Sequence, residues 1–279
     1  KPLEECARIL IRWSLENIHP YYFYGDDVAH LEMSNDDPNG FWDGMVNMLE
    51  SYRVFVEDMV QDLEQLYTDT MTALDNAGIT HFGYDDTAVM DIKGIKVGLV
   101  GIYELNDHLG REQQLKDNIA KVKADGAELI VVIFHWGNET ETVPDTNQMT
   151  LGRLAIDEGA DLVCGHHPHV LQGIETYKGK NIVYSLGNFC FGGNSSPSDM
   201  DTMIFQQTFT VTSEGVQADN VTNIIPCSIS SADGYNNYQP TPASGDEASR
   251  IKSKIEECSA AIPAADSSSA TSEGSDSEE

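Results

Sequence analysis

Basic side chains are scarce in this sequence, in which 16 Lys and Arg residues stand against 46 Asp and Glu residues and the formal net charge is −30. Proteins that bind nucleic acids neutralise backbone phosphates with Lys and Arg, so this composition argues against a nucleic-acid partner. The same charge would repel an anionic polymer unless a metal ion or a local basic patch reversed the field at the site. Phosphate or polyglutamate chemistry in this protein would therefore need cations.

Long apolar runs and paired cysteines are also absent. No segment reaches the roughly 18 apolar residues of a membrane helix, and the chain begins at Lys1 without an apolar signal core. We therefore expect that any export signal has been removed or was never present. The five cysteines form no CxxC pair, which argues against a zinc ribbon and against a dense disulfide framework.

Three segments of different character divide the chain. Residues 1–66 have a mainly helical pattern, with an apolar stripe over residues 41–66. Residues 67–262 alternate strand and helix patterns and are predicted to form the main domain. Residues 263–279 are acidic and rich in Ser, with no large apolar side chain to offset the entropy of ordering, so they are predicted to be disordered.

The main domain has the pattern of an α/β protein. Helices are predicted at residues 112–124 and 148–158, between strands at residues 96–102, 129–134 and 160–164. In such folds the site lies at the carboxyl ends of the strands. Hairpin-like patterns follow over residues 171–186 and from residue 203 onward, so the sheet is predicted to be mixed rather than purely parallel.

Histidines follow two of these strands. His135 ends the first, and Gly165-His166-His167-Pro168-His169 follows the second. Imidazole is a common ligand of transition metals, and a His-x-His pair restrained by proline can direct both rings to one site. We therefore predict His135, His167 and His169 as metal ligands, whereas His166 is expected to point to the other side of the loop. The alternative is that these histidines are ordinary structural residues.

Two further polar residues accompany the histidines, and the tryptophan between them has a different expected role. Glu139 is either a solvated loop carboxylate or a base that acts on substrate, and Asn188 is either a turn residue or a donor to a bound anion. Trp136 is expected to form a wall of the site.

Five segments of the chain resemble one family. They are TDTMTALDNAGI, GIKVGLVGI, VVIFHWGNE, EGADLVCGHHPHVLQGIE and KNIVYSLGNFCF. Together they are similar to the bacterial capsule-synthesis family, the CapA-type proteins of poly-gamma-glutamate biosynthesis. The resemblance implies a calcineurin-like metallophosphatase fold, a four-layer α/β/β/α sandwich with mixed sheets. It also implies a metal centre with His135, His167 and His169 as ligands. We predict His135, Glu139 and Asn188 as the catalytic residues, with Asn188 or Glu139 positioning the substrate.

The N-terminal part of the sequence departs from that family pattern. The Asn-Asn-His segment expected upstream is missing, and Gly25-Asp26 only imitates the expected first Gly-Asp. A dimetal site needs a carboxylate to offset the charge of two cations. We therefore expect either that the N-terminal part is truncated or rearranged relative to the family, so that the fold is incomplete there, or that Asp26, Asp107 or Asp201 supplies the carboxylate.

Two functions are therefore open at this point. The first is a metal-dependent hydrolase of the phosphoesterase type, which uses one or two divalent ions (Mn, Zn, Fe or Mg) on a phosphoester or anionic polymer. The second is a non-catalytic scaffold or polymer-handling subunit that has lost part of the metal site. In both cases the expected partners are other capsule or polyglutamate synthesis proteins, and the expected location is the surface of a bacterium.

Overall fold

The computed structural model describes residues 61–217 and 221–265. These residues fall into two compact units, of which one ends at His81 and the other begins at Phe82. The predictions for Asp26, for residues 41–60 and for residues 266–279 lie outside the described part. Within that part, no helix has both the length and the apolar character that a membrane span requires.

The described residues of the first unit include a helical segment, residues 61–76. Gly78 follows the end of this segment, and its φ of +67° is the left-handed conformation that favours glycine after a helix. The amide of Ile79 then donates to the carbonyl of Leu74 at 2.9 Å. The imidazole of His81 lies 3.1 Å from the carboxylate of Asp75 on the surface of this unit.

The second unit is built from a six-stranded sheet, a three-stranded sheet, a two-stranded ribbon and three α-helices within its described residues. The helices are α1 (Glu112–Ala124), α2 (Thr146–Asp157) and α3 (Gly245–Ala260), and a 3-10 turn covers His108–Arg111. The strands are β1 (Thr87–Ile92), β2 (Ile95–Tyr103), β3 (Leu129–His135), β4 (Leu162–His166), β5 (Ile174–Tyr177), β6 (Lys180–Val183), β7 (Asp201–Thr208), β8 (Val211–Thr212), β9 (Gly215–Val216), β10 (Val221–Ser228) and β11 (Thr241–Pro242).

The six-stranded sheet is mixed, as predicted. Its strand order is β1-β2-β3-β4-β6-β5. Strands β2, β3, β4 and β6 run parallel, whereas β1 and β5 pair antiparallel at the two edges. The carboxyl ends of the parallel strands therefore meet at one edge of the sheet, where Tyr103, His135 and His166 are neighbours in register.

Helices α1 and α2 cover one face of this sheet. In α1, Leu115, Ile119 and Val122 recur at helical spacing and are at most 1% exposed. They belong to one core cluster with residues of the sheet, among them Val132 and Phe134. Burying side chains of this size stabilises a fold by roughly 1.5–3 kcal/mol each relative to leaving them exposed.

The opposite face of the six-stranded sheet packs against the β11-β10-β7 sheet and α3. Its apolar cluster joins Leu162 and Val183 to Met203 of β7 and to Ile251 and Ile255 of α3. The predicted α/β class is confirmed by this arrangement, in which one mixed sheet has helices on one face and a smaller sheet with a helix on the other.

Candidate metal centre

Aromatic and imidazole rings form a row at the carboxyl edge of the six-stranded sheet. The ring of Tyr103, at the end of β2, stacks on that of His135 at a centroid distance of 5.2 Å. On its other side, the ring of His135 meets that of His166 edge-on at 4.7 Å. Strand register alone places these side chains together, because each is the last residue of its strand.

The loop after β4 turns two further imidazoles toward this row. His167 and His169 have φ angles of 104° and 60°, in the left-handed region that side chains rarely adopt. Holding a residue in such a sparsely populated conformation costs of order 1–3 kcal/mol. The result is a chain of rings, with centroids 4.6 Å apart between His135 and His167 and 5.6 Å apart between His167 and His169.

Glu139 joins the histidines because its loop is hydrogen-bonded to theirs. The amide of Thr140 donates to the carbonyl of Pro168 at 2.8 Å, which ties the loop after β3 to the loop after β4. One ligand atom from each of Glu139, His167 and His169 lies within 4.8 Å of the other two. The structure thus brings a carboxylate and two imidazoles together at one point.

The donor set of this group suits a divalent transition metal. A nitrogen or oxygen ligand lies about 2.1 Å from such an ion, so two ligands of one ion are at most about 4.2 Å apart. Ligand atoms of Glu139, His167 and His169 that already lie within 4.8 Å need only small side-chain shifts to share one ion. Two imidazoles and one carboxylate are a ligand set that binds borderline metals and leaves positions open.

Asn188 fixes the tautomer of His169. The Oδ1 atom of Asn188 lies 2.7 Å from Nδ1 of His169, and the Nδ2 atom donates to the backbone carbonyl of His169 at 3.2 Å. Because Nδ2 must be the donor to that carbonyl, Oδ1 accepts from Nδ1–H of the ring. The lone pair of His169 is therefore on Nε2, the arrangement that supporting residues impose on metal-binding histidines.

The pKa values of two imidazoles of the cluster, those of His135 and His167, are lowered. Burial, together with the neighbouring His166, His167 and His169, lowers the pKa of His135 to about 4. The pKa of His167 is also lowered, first by burial and then by His169, while the charges of Glu139 and Glu104 oppose that shift. Since only a neutral imidazole binds metal, these rings are in the metal-competent form at neutral pH.

Trp136 anchors the loop after β3 through its buried side chain and does not line the site. We expected it to form a wall, but its side chain is fully buried and stacks between Phe134 and Tyr184. Its Nε1 donates to the carbonyl of Tyr184 at 2.8 Å. The expectation fails because the residue after His135 points into the core beneath α1 and α2.

The other candidate residues have separate outcomes. His166 uses Nδ1 in a contact with the backbone carbonyl of Phe134, apart from the ligand group. Asp107 is exposed. Asp201 does not supply a free carboxylate, because Arg250 binds both of its oxygens and Lys254 binds one of them.

One buried acidic residue was missed in the sequence. Glu104 directly follows β2 and its side chain is 1% exposed. Its position at the end of a strand is the same sequence signal that identifies His135.

The comparisons with known proteins concern this part of the chain. Residues 64–193, which contain the whole ligand group and Asn188, match the family model described as "Bacterial capsule synthesis protein PGA_cap". This part of the chain is similar to that capsule-synthesis family.

Several relatives align with shorter segments. The capsule biosynthesis protein CapA of Bacillus anthracis is 49% identical over 69 residues, which are 25% of this chain and 17% of the relative. The PGA biosynthesis protein CapA of Bacillus subtilis is 52% identical over 65 residues, 23% of this chain and 17% of the relative. A "probable polyglutamine synthesis accessory protein" of Mycobacterium tuberculosis is 31% identical over 90 residues, 32% of this chain and 23% of the relative.

These matches cover less than a quarter of the length of each of these relatives. Among solved structures, a hypothetical protein from Thermus thermophilus is 11% identical, with a TM-score of 0.35 over 50% of this chain and 60% of that protein. A likeness at that level supports no argument about residues 64–193.

Proposed function

We propose that this protein is a divalent-cation-dependent hydrolase that acts in capsule or poly-gamma-glutamate synthesis at the bacterial surface. The observation that carries the proposal is the convergence of Glu139, His167 and His169 within the segment that matches the family. The helix-flanked mixed sheet, with a second sheet on its other face, agrees with a calcineurin-like metallophosphatase sandwich. We propose that fold for the family part of the chain.

A bound cation would allow an anionic substrate to bind despite the negative charge of the protein. A chain of formal charge −30 repels phosphate and polyglutamate alike. A cation at the carboxyl edge of the sheet reverses the local field at the point where the substrate must bind. The substrate class is therefore a phosphoester, or an acyl or amide bond within an anionic polymer.

Each residue of the centre has a distinct task in this mechanism. His167, His169 and Glu139 would hold the ion, and His135, whose ring lies 4.6 Å from that of His167, would complete the set or hold a second ion. Asn188 orients the ring of His169 through Nδ1. An ion held by these residues would supply Lewis acidity toward the bond under attack and would make water a better nucleophile at neutral pH.

A scaffold without catalytic activity is the second candidate. In the part of the chain that the structure describes, one group of three or more His, Cys, Asp or Glu side chains has the geometry of a metal site. A dimetal hydrolase would need a further complete ligand set. A protein of this fold whose ligand set holds no ion would handle polymer without cleaving it.

Metal content and hydrolysis of a generic phosphodiester test the proposal. The purified full chain is loaded with Mn²⁺, its metal is quantified, and release of p-nitrophenol from bis-p-nitrophenyl phosphate is followed with and without Mn²⁺. We expect stoichiometric metal and Mn²⁺-dependent release, both lost in His167→Ala. His81→Ala is the matched control, because His81 lies in the first unit and pairs with Asp75 on its surface.

The outcomes separate the two functions. Protein that binds no metal, with a Tm that is the same in wild type and His167→Ala, would rule out the hydrolase. Stoichiometric metal without cleavage of the diester or of poly-gamma-glutamate would favour the scaffold.

A further inference from the structure

A second carboxylate lies beside the metal centre and has no task in the mechanism above. Glu104 follows β2, and its backbone amide donates to the carbonyl of His135 at 2.9 Å. Its side chain is 1% exposed. Its Oε1 atom lies 2.5 Å from Nδ1 of His108, and its Oε2 atom accepts a long hydrogen bond, 3.4 Å, from the amide of Gly137.

Burial of the Glu104 carboxylate in its ionised form costs free energy unless a nearby positive charge offsets it. Taking an ionised carboxylate out of water costs several kcal/mol, which a well-placed counter-charge must offset. Among the described residues, the ion pair of Glu104 is with the imidazole of His108, which is 61% exposed. The Lys and Arg ion pairs of this part of the chain involve other carboxylates. No permanent cation therefore pairs with Glu104 there.

The position of Glu104 points to the metal centre as the place where its charge is used. Gly137, which donates to Oε2, lies two residues before Glu139 and has a φ of +77°. The contact thus holds the start of the loop that carries Glu139. The negative charge of Glu104 also acts on the His167 ring, where it opposes the lowering of the pKa.

We propose that Glu104 is a positioning residue of the metal centre, whose buried charge and contact with Gly137 strengthen the binding of a divalent cation by Glu139, His167 and His169. This inference rests on the proposed function. With Glu139 as a ligand and Glu104 in contact with Gly137 of the same loop, two carboxylates would help to offset the charge of one divalent cation. Together they supply the charge that neutral imidazoles lack. Loss of a residue that supports the ligands of a metal in this way typically weakens binding by about 10- to 100-fold.

Calorimetric titration of the metal-free full chain with Mn²⁺ tests the inference. We expect Glu104→Gln to raise the Kd for Mn²⁺ by about 10-fold or more. Its Tm in the absence of metal should stay within about 4 °C of wild type, because the amide keeps the size of the side chain. Its oxygen can accept from the amide of Gly137, and its NH2 group can donate to Nδ1 of His108. Glu141→Gln, which removes an exposed carboxylate from the same loop, is the matched control and should change the Kd by less than about 2-fold.

A third variant separates charge from hydrogen bonding. Glu104→Asp keeps the charge but shortens the side chain, whereas Glu104→Gln keeps the length and loses the charge. If the charge matters, the Asp variant binds Mn²⁺ more tightly than the Gln variant; a purely structural role reverses that order. The difference between wild type and Glu104→Gln should also persist as NaCl is raised, because salt screens buried charges much less than exposed ones.

Two failures would be distinguishable. If wild type binds Mn²⁺ and Glu104→Gln binds it equally well, or if the Gln variant exceeds the Asp variant, the inference about Glu104 is wrong and the proposed function stands. If wild type binds no Mn²⁺ at all, both are wrong.

Discussion

The substitution Gly165→Ala should destabilise the protein, although alanine is a harmless residue in most strands. Gly165 lies in β4, one residue before His166, and its backbone is not left-handed, so an alanine would fit the local conformation. A Cβ atom at this position, however, would overlap the carbonyl of Tyr184 and Nε1 of Trp136. These two atoms are partners in the hydrogen bond that anchors Trp136.

The expected loss can be worked out from these contacts. Overpacking a well-packed core costs typically about 1–3 kcal/mol, and loss of a hydrogen bond removes about 1 kcal/mol more. A total of about 3 kcal/mol corresponds to a fall in Tm of roughly 6–12 °C for a protein of this size. Because His166 and His167 follow directly, displacement of the strand should also weaken metal binding.

Thermal unfolding followed by circular dichroism measures this loss. Gly192→Ala is the matched control, because a Cβ atom there meets nothing within 4 Å and the backbone is again not left-handed. It should leave the Tm unchanged within about 1–2 °C. A Gly165→Ala variant with the Tm of the control would refute the claim that the indole and the strand are packed without spare room.

Two more predictions follow from side chains that support the fold and the site. Asn188→Ala removes the acceptor of the His169 ring, so the Kd for Mn²⁺ should rise by about 10-fold or more. Asn188→Asp keeps the acceptor and should retain binding. Equal affinities of the two variants in a calorimetric titration would contradict this. Burial alone would raise the pKa of Asp201, but hydrogen bonds from Arg250 and Lys254 outweigh it and hold that pKa below the ordinary 3.8. The stabilisation that Asp201 gives is therefore complete above about pH 4 and is lost as the pH falls through the depressed pKa, so the Tm advantage of wild type over Asp201→Asn should be constant at higher pH and shrink below it.

The central strands and helices were predictable because their signals are local. The run at residues 129–134 is continuously apolar, and β3 covers it. The helix predicted at residues 112–124 is found with the same bounds, because its buried positions repeat at helical spacing. The pairing of β7 with β10 agrees with the hairpin-like pattern from residue 203 onward, and the small β8–β9 hairpin lies between the two strands in sequence.

The sequence points to the histidines of the candidate site more directly than to its carboxylates, and the group of ligand atoms contains His167 and His169 but not His135. His135, His167 and Asn188 stand next to strands or in short motifs, so their type and spacing announce them. The place of Glu139 in the ligand group depends on the hydrogen bond from Thr140 to Pro168, which no sequence pattern shows. Glu104 has a strand-end position but belongs to no motif, and its burial becomes visible only when β2 and β3 are in register.

The ion pairs that Arg250 and Lys254 of α3 form with Asp201 affect the turn that contains Asn188. Next to Asp201, which they hold, Thr202 donates its hydroxyl to the carbonyl of Leu186 at 2.9 Å. Gly187, the following residue, passes so close to Asp201 that a Cβ atom there would lie 2.9 Å from its carbonyl. One residue further on is Asn188. Helix α3 thus supports the turn that carries Asn188, the partner of the His169 ring. We therefore expect that truncation of the chain before α3 would weaken the candidate metal site without removing one of its ligand residues.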